Sequence, residues 1–219
     1  MTSRVRRLFA NIAATSLALG ASSPAAADEL AAIPEDTLSD VIEEAERGPA
    51  TAEERLLVIQ RIAADSRPFV RAQAAAAAGS LFPEGGETTL ALLRRLAADD
   101  SDVVRNAAAS GLARALERAS PVERIQMVCD WALSAQNGAR AAVARALVSP
   151  TPVFVADIAL ECLSSDADAE VRLAALLAVA AHFDEAPALY GAITERLATD
   201  SDRHIRKAAR SLVSMKAGC

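Results

Sequence analysis

Five arginines set the frame of this chain. Arg71, Arg105, Arg140, Arg172 and Arg206 follow one another at intervals of 34, 35, 32 and 34 residues. Each stands after a turn and opens an alanine-rich stretch. The copies read IAADSRPFVRAQAAAAAGSLF from Ile62, LAADDSDVVRNAAASGLARAL from Leu96, LSSDADAEVRLAALLAVAAHF from Leu163 and LATDSDRHIRKAARSLVSM from Leu197. A worn copy, WALSAQNGARAAVARALVS, starts at Trp131. Self-similarity at this period marks two-helix units that cannot bury their apolar faces alone and do so by stacking. Apolar residues make up 52% of the 219, yet only 3% are aromatic. The apolar content is largely alanine, the best helix former, so the chain is expected to be all-α: an α-solenoid of about five helical hairpins behind a short N-terminal capping helix.

Counting from the arginines sets the register. Nine positions earlier stand Ile62, Leu96, Trp131, Leu163 and Leu197, and the columns twelve and thirteen earlier are mostly Ile, Leu, Val or Met. These columns share one helical face and predict the inner seam of the first helices, over Thr51–Ala63, Glu87–Ala97, Pro121–Leu133, Pro152–Leu163 and Ala186–Ala198. Two or three positions after the arginine come Ala74, Ala107-Ala108, Ala142, Ala174-Ala175 and Ala208-Ala209. They let the second helices approach closely, over Pro68–Leu81, Asp102–Leu116, Gly138–Val148, Asp168–His182 and Asp202–Met215. Pro83-Glu84-Gly85-Gly86 and Ser149-Pro150-Thr151-Pro152 punctuate the connections. Glu35–Arg47, rich in acids, reads as the capping helix, with Asp36 or Thr37 as its N-cap and Gly48-Pro49 as its stop. Asp28–Pro34 reads as a loose tail.

Residues 1–27 have the layout of a secretory signal peptide: Arg4, Arg6 and Arg7, a short apolar run over Ile12–Ala21, and Ala25-Ala26-Ala27 before Asp28. The alternative is an amphipathic N-terminal helix. Arg6-Arg7-Leu8-Phe9 is similar to a twin-arginine signal. The apolar run is too short to remain in a bilayer, so a periplasmic or secreted protein is expected, with no stable membrane insertion after cleavage. Net charge is −6. Loss of the three leader arginines leaves 20 basic against 29 acidic residues, or −9. An acidic body poor in aromatic residues does not suit nucleic acid.

The turn that precedes each arginine carries the most specific pattern: Asp65…Val70-Arg71, Asp99…Val104-Arg105, Asp166…Val171-Arg172 and Asp200…Ile205-Arg206. In the third copy Ser134 replaces the aspartate and Ala139 the valine. On these motifs the chain resembles the HEAT-repeat family, and most nearly the short HEAT-like repeats found in phycobilin lyases, over about Thr51 to Met215. The resemblance implies a binding scaffold in most cases and an enzyme occasionally. It also implies that the arginine column is structural, pairing with turn aspartates of the same or a neighbouring repeat rather than forming an anion-binding ladder.

Other candidates have structural readings close at hand. The acidic turns at Asp99–Asp102, Asp166–Asp168 and Asp200–Asp202 lack the glycine and distal glutamate of a calcium loop, while Asp168 and Asp202 stand where an N-cap belongs. His182 and His204 lack neighbours at metal-ligand spacing. No residue set suggests catalysis, and no cofactor is implied. Cys129 and Cys162 lie 33 apart, in columns that elsewhere hold mostly charged residues, and so face water on adjacent first helices. In an oxidising compartment a disulfide between them fits if the Cα atoms come within about 7 Å; the alternative is two free, partly exposed thiols. On the second helices, expected to line the concave face, Leu173, Leu176, Leu177 and Ala180 beside Lys207 and Arg210 form an apolar strip with a basic edge, a docking site for a protein or peptide. A slightly rotated helix would bury the same leucines. The function expected is therefore an exported, non-catalytic scaffold. An accessory enzyme or chromophore-handling protein of the lyase type stands as the alternative, and a DNA-binding HEAT-like protein as a third.

Overall fold

The computed structural model describes residues 3–19, 30, 32–148 and 153–217. Among them are 12 α-helices, one short 3-10 turn and no strand. The chain divides after Ala119 into two compact units. The first holds α1 (Ser3–Leu19), α2 (Glu35–Arg47) and two helical pairs, α3 (Ala52–Ile62) with α4 (Pro68–Ser80) and α5 (Gly86–Ala97) with α6 (Asp102–Arg118). The second holds three pairs: α7 (Pro121–Ala132) with α8 (Asn137–Ala146), α9 (Val153–Leu163) with α10 (Ala169–His182), and α11 (Pro187–Leu197) with α12 (Arg203–Ala217). Within each unit the second helices lie side by side: α2 and α6 flank α4 in the first, and α8 and α12 flank α10 in the second. This is α-solenoid architecture, and all five expected hairpins are present.

The seam is built from the columns that the periodicity picks out. Ile62, Leu96, Trp131, Leu163 and Leu197 are all buried, as are Ile59, Leu93, Val128 and Leu160 one turn earlier. Burial of each such side chain contributes about 1.5–3 kcal/mol, so the seam is the main source of cohesion. Ala74, Ala108, Ala142, Ala175 and Ala209 are buried opposite it. Helices α4 and α6 approach closely where glycine on each leaves room for the other's backbone. A Cβ on Gly79 would stand 1.9 Å from the Gly111 carbonyl oxygen, and one on Gly111 would stand 2.4 Å from that of Ala75.

Helix starts follow local chemistry. Thr51 and Ser120 form capping boxes with Glu54 and Glu123, satisfying otherwise orphaned amides at both ends of the exchange. Pro68, Pro121 and Pro187 occupy first-turn positions, where a missing N–H costs nothing. Asp168 accepts from the Glu170 amide, and Asp202 from those of His204 and Ile205. The expected cap of α2 is not made. That helix starts at Glu35, so Asp36 and Thr37 lie inside its first turn, and Asp36 accepts from Thr37 instead.

One expectation for the N-terminal region needs correction. The stretch before α2 is not wholly loose: Leu30 is buried, and the Leu30 and Ile33 carbonyls accept hydrogen bonds from the Arg67 guanidinium. Residues 3–19 form a helix seated on α2 and α3, with Val5, Phe9, Ile12 and Ala13 buried and Arg6 3.7 Å from Glu44. Ala25–Ala27, Ser149–Pro152 and Cys219 lie outside the described residues.

Candidate functional site

The repeating arginine is a clamp within and between turns. Its Nη1 donates to two carbonyls at the preceding turn in all five copies: Arg71 to Asp65 and Ser66, Arg105 to Asp99 and Asp100, Arg140 to Ser134 and Ala135, Arg172 to Asp166 and Ala167, and Arg206 to Asp200 and Ser201. In three copies the rest of the fork reaches the aspartate of the following repeat. Arg71 meets Asp99 at 2.8 and 2.7 Å, Arg140 meets Asp166 at 2.6 and 3.0 Å, and Arg172 meets Asp200 at 2.7 and 2.9 Å. These are bidentate, charge-assisted bonds. Arg105 pairs with Asp102 of its own helix, and the corresponding turn residue of the next repeat is Ser134, which carries no charge.

The same aspartates build the turns. Asp65, Asp99, Asp166 and Asp200 each accept the amide two residues on. In the third repeat Ser134 Oγ accepts the Gln136 amide at 3.2 Å, so the turn survives the loss of the carboxylate. Burial pushes the carboxyls of Asp65, Asp99 and Asp166 upward, but hydrogen bonds and charge from Arg67, Arg71 and Arg140 outweigh it and hold them below the usual range. Asp200 is held low chiefly by its bond from Arg172. Both faces of each guanidinium–carboxylate pair are thus spent on architecture, and the acidic turns point at backbone amides. Among the described residues no group of three or more His, Cys, Asp or Glu could hold a metal ion.

The strip expected on the second helices splits. Leu176 is 2% exposed and belongs to the core, which corrects its place in a docking face, whereas Leu177 is 55% exposed. The reason is positional. Four residues after the arginine also stand Ala75, Ala109 and Ala144, all buried, and only in the final helix does this column, there Arg210, reach solvent. Leu173 is half-buried and Ala180 exposed. Lys207 and Arg210 are exposed on α12 and, with Arg203, Arg206, Ser211 and Ser214, line a shallow basic depression. Arg210 Nε also donates to the Ala198 carbonyl.

A better-formed surface lies on the first helices of the second unit. Helices α7 and α9 pack together and leave an almost wholly apolar groove of about 140 Å³, lined by Ile125, Val128, Cys129, Ala132, Leu133, Ile158, Ala159 and Cys162. Leu133 is 81% exposed, and Ile125 and Ile158 are also open to solvent. Of the two readings of Cys129 and Cys162, a disulfide or two free thiols, the structure has free, exposed thiols. They sit on two different helices and line the one groove. Periodicity alone does not expose this groove, because Ile125 shares a column with Leu56 and Leu90, which are buried. The usable signal is in the neighbouring columns. Cys129 and Cys162 replace mostly charged residues, and Leu133 stands where other repeats have Ala64, Ala98, Ser165 and Thr199.

Two buried polar side chains of this unit, His182 and Tyr190, tie its elements together. His182 is buried, with Nε2 2.9 Å from the Leu147 carbonyl and Nδ1 2.8 Å from Glu185, and so ties α10 to the end of α8. The buried Tyr190 hydroxyl donates to Asp157 at 2.6 Å; burial first, then that carboxylate, pushes the phenol upward, out of reach of acid–base work near neutral pH.

No protein-family profile and no curated protein matches the chain. Among solved structures it is similar to an engineered protein, with 19% identity over 99% of this chain and 98% of the other and a TM-score of 0.46. It is also similar to computationally designed armadillo repeat proteins for modular peptide recognition, with 16% identity over 93% and 98% and a TM-score of 0.43. Similarity at this level assigns neither family nor activity. The architecture stands on the chain's own five hairpins.

Proposed function

We propose that the protein is an exported, non-catalytic scaffold of HEAT-like repeats that holds an amphipathic helix of a protein partner in the α7–α9 groove. One observation carries this reading: an open apolar groove on helices whose charge is one-sided. Ile125, Leu133 and Ile158 present contiguous apolar surface, which soluble proteins reserve for interfaces. Around them α7 and α9 carry Glu123, Asp130, Asp157 and Glu161 against a single arginine, Arg124; Glu161 is paired with Arg196 of α11 at 2.9 Å, Asp157 accepts the Tyr190 hydroxyl and Glu123 the Ser120 amide, so the exposed Asp130 is the acid left for a basic partner. The complement is a helix with an apolar stripe flanked by Lys or Arg. Export rests on the leader pattern of residues 1–27.

The test uses a synthetic Leu/Lys amphipathic helix and the mature chain. Fluorescence anisotropy should show saturable binding that Ile125→Asp with Ile158→Asp weakens at least ~tenfold, the cost of about 1.4 kcal/mol at an apolar contact. Leu177→Asp should leave it unchanged. Equal binding by the groove variant removes the site, and equal binding of a Leu/Glu helix removes the charge argument. Export is tested separately by mass analysis of the secreted chain, which should begin at Asp28. The lyase-type alternative is favoured by one feature only, the two thiols in an apolar groove; a pigment co-purifying with the protein and lost from Cys162→Ser would favour it.

A further inference from the structure

The two groove thiols give the docking site a chemistry of its own. Cys129 and Cys162 are free and exposed, on different helices, and every other residue lining the groove is apolar. Exposed thiols are unusual companions for exposed Ile and Leu. At these two columns the other repeats carry Gln60, Arg94, Glu161 and Glu195, or Arg61, Arg95, Asp130 and Arg196; all but Arg61, which is buried, reach solvent and would repel an apolar guest. The thiols therefore replace solubilising groups at the place where a partner's apolar segment would lie. Neither sulfur is needed for packing, because the seam beneath them is already filled by Val128, Trp131, Leu160 and Leu163.

We infer that the α7–α9 groove is a dithiol exchange site for a disulfide carried on an apolar polypeptide segment. This rests on the docking reading above and adds the reaction that docking permits. One groove thiolate attacks the partner's disulfide R–S–S–R′; a new bond forms between that cysteine and RS, the S–S bond breaks, and R′S leaves with the electron pair and takes a proton from solvent. The second groove thiolate then attacks the mixed disulfide. The Cys129–Cys162 bond forms and RS leaves as the second thiol. The groove is oxidised by two electrons and the partner's disulfide is reduced to two thiols, so the oxidant is the partner itself. Exchange of this kind proceeds by thiolate attack through a mixed disulfide. Seating the guest on the apolar floor raises the effective concentration of its disulfide beside the thiols.

The probe is the Leu/Lys helix bearing one cysteine activated as a thiopyridyl disulfide. In a Cys219→Ser background, which removes the third cysteine of the chain, the protein should release one thiopyridone and then one free peptide thiol, leaving a protein lighter by two hydrogens with Cys129 and Cys162 joined in the peptide map. Cys129→Ser and Cys162→Ser should each stop at a stable peptide adduct. A polar Ser/Lys peptide with the same activated cysteine should react on the order of tenfold more slowly. The proposal is overturned if the unmutated protein accumulates adducts on both cysteines without releasing peptide, or if the polar peptide reacts equally fast. Failure of docking is seen independently: a cysteine-free Leu/Lys helix, titrated against the double Cys129→Ser, Cys162→Ser protein, reads binding without any sulfur chemistry.

Discussion

Exchanging glycine for alanine inside a helix ordinarily stabilises it by about 1 kcal/mol, because alanine loses less backbone entropy on folding. At Gly111 the sign should reverse. Its new Cβ would stand 2.4 Å from the Ala75 carbonyl oxygen and 2.7 Å from Leu93 Cδ2. The leucine can turn aside, but a helical backbone oxygen cannot, so α6 must move away from α4. Overpacking of this kind costs roughly 1–3 kcal/mol, and contact with backbone places Gly111→Ala toward the upper part of that range. Subtracting the propensity gain leaves a net loss of about 1–2 kcal/mol. Gly79→Ala should be worse, since its Cβ would come within 1.9 Å of the Gly111 oxygen. Gly191, within α11, is the internal control: a Cβ there meets nothing within 4 Å, and Gly191→Ala should gain up to about 1 kcal/mol. Urea unfolding followed by helical circular dichroism separates these cases. With a slope of about 1–3 kcal/mol/M, the midpoint of the affected transition should fall by roughly 1 M for Gly111→Ala and rise slightly for Gly191→Ala. If both substitutions move it upward together, the close approach of α4 and α6 is not what holds that pair of helices.

The leucine pair on α10 should respond in opposite ways: Leu176→Asp, in the core, should cost more than about 4 kcal/mol and abolish the folded unit, whereas Leu177→Asp should stay within about 0.5 kcal/mol, as thermal melts will show. Arg172→Lys should lose about 1–2 kcal/mol, because an ammonium cannot span the Asp166 and Ala167 carbonyls and both oxygens of Asp200 at once; a melt identical to the parent's would rule out the clamp. The carboxyls of Asp65, Asp99, Asp166 and Asp200 are lowered on folding, so at acid pH the unfolded chain binds more protons. Their stabilisation should be complete above about pH 4, near the unfolded value, and drain away as pH falls below it. An acid titration of Asp200→Asn should show a shallower fall than the parent, and an unaltered profile would refute that assignment.

Period and register were readable because they are averaged over copies. A single Trp at 131 says little, but a column holding Ile62, Leu96, Trp131, Leu163 and Leu197 can be only a seam. The surfaces were harder to read, since each depends on what its neighbour leaves uncovered. Ile125 and Leu90 occupy one column, yet the first is 46% exposed and the second 7%; nothing in either residue announces the difference. Leu176 misled for the converse reason. Its column ends in the solvated Arg210, and helix α10, with Leu173, Leu176 and Leu177 in succession, is apolar on too many sides to orient by pattern. Capping boxes at Thr51 and Ser120 were present as motifs, three residues ahead of Glu54 and Glu123. They matter for where helices begin, and much less for where a partner lies.

Helix α1 carries a consequence for how the protein is made. In the full chain, Val5, Phe9, Ile12 and Ala13 are sheltered against α2 and α3. Under the export reading this segment has two competing fates. Transport must seize it before it nests, or must extract it afterwards at the cost of reopening that contact. After removal, the patch it shielded on α2 and α3 meets water for the first time. Newborn and processed chains would then differ by a whole surface, and whatever recognises that surface would ignore the protein until it had crossed.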